Sequence, residues 1–192
     1  MNVGKLGVWY FLDGLSTEDS IRAAQKIESL GYGTLWLPET VGKDPLTTSS
    51  LLLSVTTKLN LATGIVNIYH REPGVMLAAQ KTLAEQSQNR FVLGMGVSHK
   101  PLVEGVRGLE YGPPVKTMRD YLSKMEASPY TGIASSEKPT TLIAALGPKM
   151  LELAAEKTDG AHPYFSSPEH TEFARKILGK DKKLCVEQKV ML

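Results

Sequence analysis

Four short stretches bring together residue types that could do chemistry, each directly after an apolar run. Leu146-Gly147-Pro148-Lys149 combines a glycine, a proline and a cation. Glycine lets a ligand approach the backbone closely, and proline in a first helical turn leaves the neighbouring N–H groups free for an anion. That spacing suits a phosphate cradle, or else an ordinary strand-to-helix turn. Gly94-Met95-Gly96-Val97-Ser98-His99 ends another apolar run. Its glycines could let a flat ring lie on the backbone, and His99 could give or take a proton. Glu39, after Trp36-Leu37-Pro38, offers a carboxylate to a polar cofactor edge or to substrate, or is a surface acid. Thr63-Gly64-Ile65 interrupts a third run with glycine, as a bulge beside a ligand would. Asn67, His70 and Arg71 follow it. His70 and His162 are weaker proton-transfer candidates than His99, and His170 falls at a helix start.

For these stretches to meet, the elements before them must end on one side. Apolar runs at Leu6–Phe11, Thr34–Leu37, Leu59–Asn67, Arg90–Val97, Thr141–Leu146, Gly160–Phe165 and Leu184–Leu192 read as seven strands. Helical patterns fall between them. Ser16-Thr17-Glu18-Asp19 starts the first and Gly31 stops it; Leu46–Thr57, Pro73–Gln86, Pro101–Gly108, Val115–Ala127, Pro148 to about Lys157 and Pro168–Leu178 follow. Strands separated by helices must pair in parallel, and their near-continuous apolar character means that both sheet faces are covered. A doubly wound sheet and a βα barrel both satisfy this, and both gather ligands at the carboxyl ends of the strands. No G-x-G-x-x-G follows the first strand. Trp9, Tyr10, Met76, Met118, Met125 and Met150 read as packing residues.

Composition narrows the class. Of 192 residues, 42% are hydrophobic, which fits one globular domain over residues 1–192. Twenty-two basic against 20 acidic residues leave +2, without the basic stripe that would predict a nucleic-acid partner. No apolar run approaches a membrane span, and MNVGKLGVWYFLDG is too weakly apolar for a secretory signal. One cysteine, Cys185, excludes a disulfide framework, and the four histidines lack metal-site spacing, so no metal is expected. These features predict a soluble, reduced, cytoplasmic protein.

The segments LGYGTLWLPE, LATGIVN, NRFVLGMGVSH and ALGPKMLELAAEKTDGAHPY, in that order, resemble the luciferase-like monooxygenase superfamily. Pro168-Glu169-His170-Thr171, then Leu178-Gly179, then Glu187-Gln188 bring the resemblance closest to its branch of coenzyme F420-dependent (deazaflavin) oxidoreductases. The resemblance implies a TIM-type (β/α) barrel with F420, or alternatively FMN, at its mouth. It implies that Glu39 lies near the isoalloxazine ring. Gly64 and Ile65 would form a bulge with a non-proline cis peptide behind that ring, where Asn67 also ends the strand. Gly94, Gly96, Ser98 and His99 match the fourth-strand stretch, and Ala144, Leu146, Gly147, Pro148 and Lys149 the phosphate side. Asp159-Gly160 matches an Asp-Gly that starts the sixth strand. Where some F420 members carry a catalytic Glu, Val97 and Ser98 stand here, which makes His99 the expected proton donor. A basic groove near Lys149, Arg71 or Lys43 would suit the anionic tail of F420.

A complete barrel has eight strands and typically about 250 residues, and only seven strands are counted here, so the eighth is expected to be missing. Open edges would favour a homodimer. A truncated chain, a natural short form that dimerises and a rearranged sheet all remain open. So do two functional readings: an oxidoreductase that transfers hydride between the cofactor and a small organic substrate, and a non-catalytic flavin- or ligand-binding relic or barrel fragment that associates through its open edge.

Overall fold

The computed structural model describes residues 2–190. The strands and helices alternate as the hydrophobic pattern demands, and the parallel sheet runs in the order β1 (Gly7–Trp9), β2 (Thr34–Leu37), β3 (Asn60–Thr63), β5 (Phe91–Gly96), β6 (Thr140–Ile143), β7 (Gly160–Ala161) and β8 (Lys183–Leu184), with β4 (Val66–Asn67) paired to β5. Apart from β4, each strand therefore lies beside the one before it in the chain. A doubly wound sheet reverses its order partway, so this singly wound order is that of a βα barrel. Packing divides the chain into two compact units.

The first unit comprises the residues up to Val66, Ala78–Leu93 and Tyr130–Thr140. It holds β1 (Gly7–Trp9), α1 (Thr17–Ser29), β2 (Thr34–Leu37), α2 (Pro45–Ser54), β3 (Asn60–Thr63), most of α3 (Pro73–Gln86) and the start of β5 (Phe91–Gly96). Ser16 caps α1 by accepting the Asp19 N–H at 3.0 Å. Asp44 caps α2 through the Thr47 N–H at 2.7 Å, with Pro45 in the first turn. Leu35, Leu52, Leu59, Leu61 and Phe91 fill the core. Two charged groups stitch its lower edge. The Glu28 carboxylate accepts the N–H groups of Thr57, Lys58 and Leu59 at 2.8, 2.6 and 2.8 Å. The Arg90 guanidinium donates to the carbonyls of Leu53 and Leu59, both at 2.8 Å.

The second unit comprises Asn67–Leu77, Gly94–Pro129 and the residues from Thr141 onward. It holds the end of β5, a π-helical turn (Pro101–Val106), α4 (Pro114–Ala127), most of β6 (Thr140–Ile143), α5 (Pro148–Lys157), β7 (Gly160–Ala161), α6 (Pro168–Leu178) and β8 (Lys183–Leu184). Met95, Met118, Leu142, Ile143, Leu151 and Leu153 are its buried core. Gly160 is required where it stands: its φ is +154°, and a Cβ there would lie 2.0 Å from the Lys183 carbonyl oxygen.

Several expected spans change. The third strand divides into β3 and β4 (Val66–Asn67) around Gly64-Ile65. The sixth keeps only Gly160–Ala161, because Pro163 has no N–H to continue the ladder after the His162 N–H meets the Ile143 carbonyl at 2.9 Å. The seventh narrows to Lys183–Leu184, although Cys185 and Glu187 still donate N–H groups to the carbonyls of Ala161 and Pro163. Its expected end at residues 191 and 192 lies outside the described residues. The segment expected as a helix after β5 is a π-helical turn. The four methionines are buried, but Tyr10 is 50% exposed and is not a core residue.

Candidate functional site

In the first unit, the backbone after β3 is drawn to the end of β2. The Gly64 N–H donates to the Leu37 carbonyl at 2.9 Å, and the Glu39 N–H to the Ile65 carbonyl at 3.2 Å. The Gly64–Ile65 peptide bond is cis. The Trp9 indole, on β1 at the far side of β2, donates to the Gly64 carbonyl at 2.7 Å. Glu39, Gly64 and Ile65, far apart in the chain, thus share one strand-end cluster, with Glu39 half-buried. Trp9 and Phe11 meet edge to face, with ring centroids 4.9 Å apart. Lys43 is committed locally: its ammonium donates to the Leu15 carbonyl at 2.6 Å.

In the second unit, Asn67 is buried, and its side-chain oxygen accepts the Tyr69 N–H at 3.0 Å while its amide nitrogen lies 3.1 Å from His70 Nε2. The amide can only donate, so Nε2 accepts and the ring's proton sits on Nδ1. Tyr69 and Tyr111 stack at 5.6 Å. The Tyr111 hydroxyl donates to the Ser98 carbonyl at 3.2 Å, and the Tyr69 hydroxyl accepts the Gly112 N–H at 2.9 Å. Burial, then the neighbouring Tyr69, raises the Tyr111 phenol above its ordinary range. Ser98 itself has φ +56°. Gly94 and Gly96 are buried in β5, and His99 is exposed just beyond it, its carbonyl accepting the Leu102 and Val103 N–H groups.

The Ala144 N–H donates to the Met95 carbonyl at 2.8 Å, so the β6 end lies against the Gly94–Gly96 stretch. After it, Leu146, Gly147, Pro148 and Lys149 are all exposed. Gly147 caps α5 with no side-chain hydrogen bond, Pro148 occupies the first turn, and a Cβ on Gly147 would meet nothing within 4 Å. Pro148 has no N–H, and the Met150 and Leu151 N–H groups turn back to the Gly147 carbonyl at 3.2 and 3.1 Å, so the Lys149 N–H, the Lys149 ammonium and the open approach at Gly147 are what this helix start offers an anion.

His170 is the residue that spacing alone could not assign. Its Nε2 donates to the Leu146 carbonyl at 2.8 Å, across 24 residues, while its buried Nδ1 has no partner among the described residues. Only the Pro168–Thr171 motif pointed to it. His162 is structural: it is buried, Nδ1 lies 2.7 Å from the Cys185 carbonyl, and burial lowers its pKa below the ordinary histidine value. Burial also pushes the Cys185 thiol up to about 11, which keeps it unreactive at neutral pH. A separate cavity of about 420 Å³ opens beside α4, lined among others by Tyr69, His70, Arg71, Asp120 and Tyr121. It is lined by neither the Gly94–His99 stretch nor the start of α5. Among the described residues, no His, Cys, Asp and Glu cluster could hold a metal ion, and no helix is long and apolar enough to cross a membrane.

Residues 13–179 match the family described as luciferase-like monooxygenase. The chain is 29% identical over 165 residues to a 5,10-methylenetetrahydromethanopterin reductase of Archaeoglobus fulgidus, covering 77% of this chain and 49% of that protein. It spans about half the length of the curated relatives it matches. Among solved structures, the coenzyme F420-dependent tetrahydromethanopterin reductase of Methanopyrus kandleri superposes with a TM-score of 0.75 at 20% identity, covering 93% of this chain and 60% of that one. The oxygenating constituent of 3,6-diketocamphane monooxygenase from Pseudomonas putida, in complex with FMN, gives 0.72 at 15% identity, covering 91% and 62%.

Proposed function

We propose, because the chain belongs to the luciferase-like monooxygenase family, that it is an oxidoreductase that transfers hydride between F420 or FMN and a small organic substrate. Relatives and structural neighbours include F420-dependent and FMN-bound proteins, which supports a deazaflavin or flavin cofactor. The observation that carries the reading is the start of α5, separated from the end of β6 by four residues, where an open Gly147 stands beside the N–H and the ammonium of Lys149.

The ammonium and backbone N–H of Lys149 hold the cofactor phosphate beside the open Gly147 and Pro148, with Ala144 and Leu146 lining that side. In the second unit, Gly94, Gly96 and Ser98 give a flat ring access to backbone, with Asn67 among its cofactor-binding residues; in the first, Gly64 and Ile65 are the cofactor-binding backbone beside Glu39. Glu39 contacts a polar edge of the ring or substrate. The cofactor supplies the hydride chemistry. His99 gives or takes the proton that accompanies the hydride, and its exposure lets it exchange that proton with water. Lys149 and Arg71 remain candidates for the anionic F420 tail, whereas the Leu15 contact commits Lys43 elsewhere. The protein acts as a cytoplasmic homodimer on this reading.

Titrating the purified protein with F420 and, separately, with FMN tests the proposal. Saturable binding of one of them at micromolar concentration is expected. Binding of neither at high micromolar concentration overturns it. With the cofactor identified, His99→Ala is expected to slow turnover about 100-fold without weakening cofactor binding; unchanged turnover removes the proton role alone.

A further inference from the structure

Glu187 is an acid buried to 6% exposure, on the segment that follows β8. It grips the loop after β7 twice. Its backbone N–H donates to the Pro163 carbonyl at 2.9 Å, and its carboxylate accepts the Phe165 N–H at 2.8 Å. Phe165 is held at φ +46°, a backbone conformation unfavourable for a bulky side chain. The residue is nevertheless 58% exposed, beside Tyr164, which is 45% exposed, with ring centroids 6.5 Å apart. The Lys189 ammonium lies 5.1 Å from the Phe165 centroid and 5.7 Å from that of Tyr164. An unfavourable backbone and a buried carboxyl group are thus combined at a turn that carries two exposed aromatic residues. Neither ring is needed for the core. The same loop runs through Ser167, which caps α6, to His170 and its contact with the Leu146 carbonyl at the start of α5.

We infer that Glu187 is a positioning residue: its carboxylate fixes the turn at Phe165 so that Tyr164 and Phe165, with Lys189 over them, form a platform for an organic part, other than the flat ring, of an anionic ligand whose phosphate sits at α5. The inference rests on the proposed cofactor-binding function for the identity of that ligand. The turn itself does not depend on it. The carboxylate replaces a backbone partner that the loop lacks, and the rings supply flat apolar area with an ammonium to match negative charge.

Four forms of the protein test this: wild type, Glu187→Ala, Glu187→Gln and Phe165→Gly. Amide exchange at Phe165, read without ligand, is expected to rise at least tenfold in Glu187→Ala and to stay near wild type in Glu187→Gln, whose amide oxygen can accept the same bond. Phe165→Gly keeps the turn, since glycine adopts positive φ freely, and removes only the ring. It is expected to weaken binding of FMN or F420, whichever the wild type binds, about tenfold without lowering the melting temperature. Glu187→Ala is expected to weaken the same binding by a similar factor, and Glu187→Gln to restore it. Unchanged Phe165 exchange in Glu187→Ala overturns the positioning role, and wild-type affinity in Phe165→Gly overturns the platform. Binding of neither cofactor by wild type would sink the functional reading and, with it, the platform; the amide exchange would still decide the turn.

Discussion

The strands β2, β3 and β5 differ in kind from β7 and β8. Every residue of Thr34–Leu37, Asn60–Thr63 and Phe91–Gly96 is buried, whereas β7 and β8 are two residues each and β8 is half-buried. The longer strands bury both faces, so apolar area alone holds them in register. The short ones are tied by side chains. Asp159 clasps Thr141 in both directions: its N–H donates to the Thr141 carbonyl at 2.9 Å, and its carboxylate accepts the Thr141 N–H at 2.8 Å. His162 reaches the Cys185 carbonyl, and Lys182 the carbonyl of Thr158. Sheet can therefore be held by burial or by directed polar ties, and the two respond to different perturbations.

The largest effect should come from the buried set. Phe91 is fully buried, so Phe91→Ala removes its packing and leaves a cavity, with an expected loss of about 3–5 kcal/mol in urea unfolding. A loss below about 1 kcal/mol would mean that the sheet collapses around the gap and that burial is not what holds β5.

Glu28 comes next, because one carboxylate serves three backbone N–H groups at the entry to β3. Glu28→Ala is expected to cost about 2–3 kcal/mol. Burial would raise the Glu28 pKa, but the N–H groups of Lys58, Leu59 and Thr57 and the charge of Arg90 outweigh it and hold it below the ordinary value. Its contribution is therefore complete above the ordinary glutamate range and disappears as the pH falls through the lowered folded value. Urea midpoints from pH 6 down to pH 3 should fall more steeply in wild type than in Glu28→Gln. Parallel curves would remove the electrostatic part.

Among the short strands, Asp159→Ala breaks one half of the Thr141 clasp, for which about 1.5 kcal/mol is expected. Asp159→Asn keeps an acceptor and should recover most of it. Equal losses in both variants would show that the charge, and not the hydrogen bond, is what counts.

This contrast also explains what could be read from sequence. Runs such as TLWL and FVLGMG are almost wholly apolar, and their strands appear where the pattern put them. The seven-strand count and the parallel order follow from alternation with helices, and Pro148, Pro168 and Pro73 mark helix starts correctly. The bounds of β7 and β8 were not legible, because they depend on a missing N–H at Pro163 and on ties from Asp159 and Glu187 that span 18 and 22 residues. The same limit applies at the candidate site. The exposed run at Leu146–Lys149 and the break at Gly64 are local and visible, but the His170 contact with Leu146 is long-range and leaves no periodic trace.

His162 gives the smallest effect and the finest test of the polar-tie account. The folded protein buries the ring, and desolvation lowers its pKa; the hydrogen bond to the Cys185 carbonyl works in the opposite direction but does not cancel this. The unfolded chain takes up a proton near the ordinary histidine value of about 6.5, where the folded one resists it. The stabilisation is thus complete above that value and is lost as the pH falls through the lowered folded value, at no more than about 1.4 kcal/mol per pH unit. Urea midpoints measured between pH 8 and pH 5 should decline in wild type and decline less in His162→Gln. The difference between the two curves isolates this ring from His70, His99 and His170, which both proteins share. Coincident curves would mean that the β7–β8 edge opens enough to hydrate His162, leaving Asp159 and Glu187 to hold it alone.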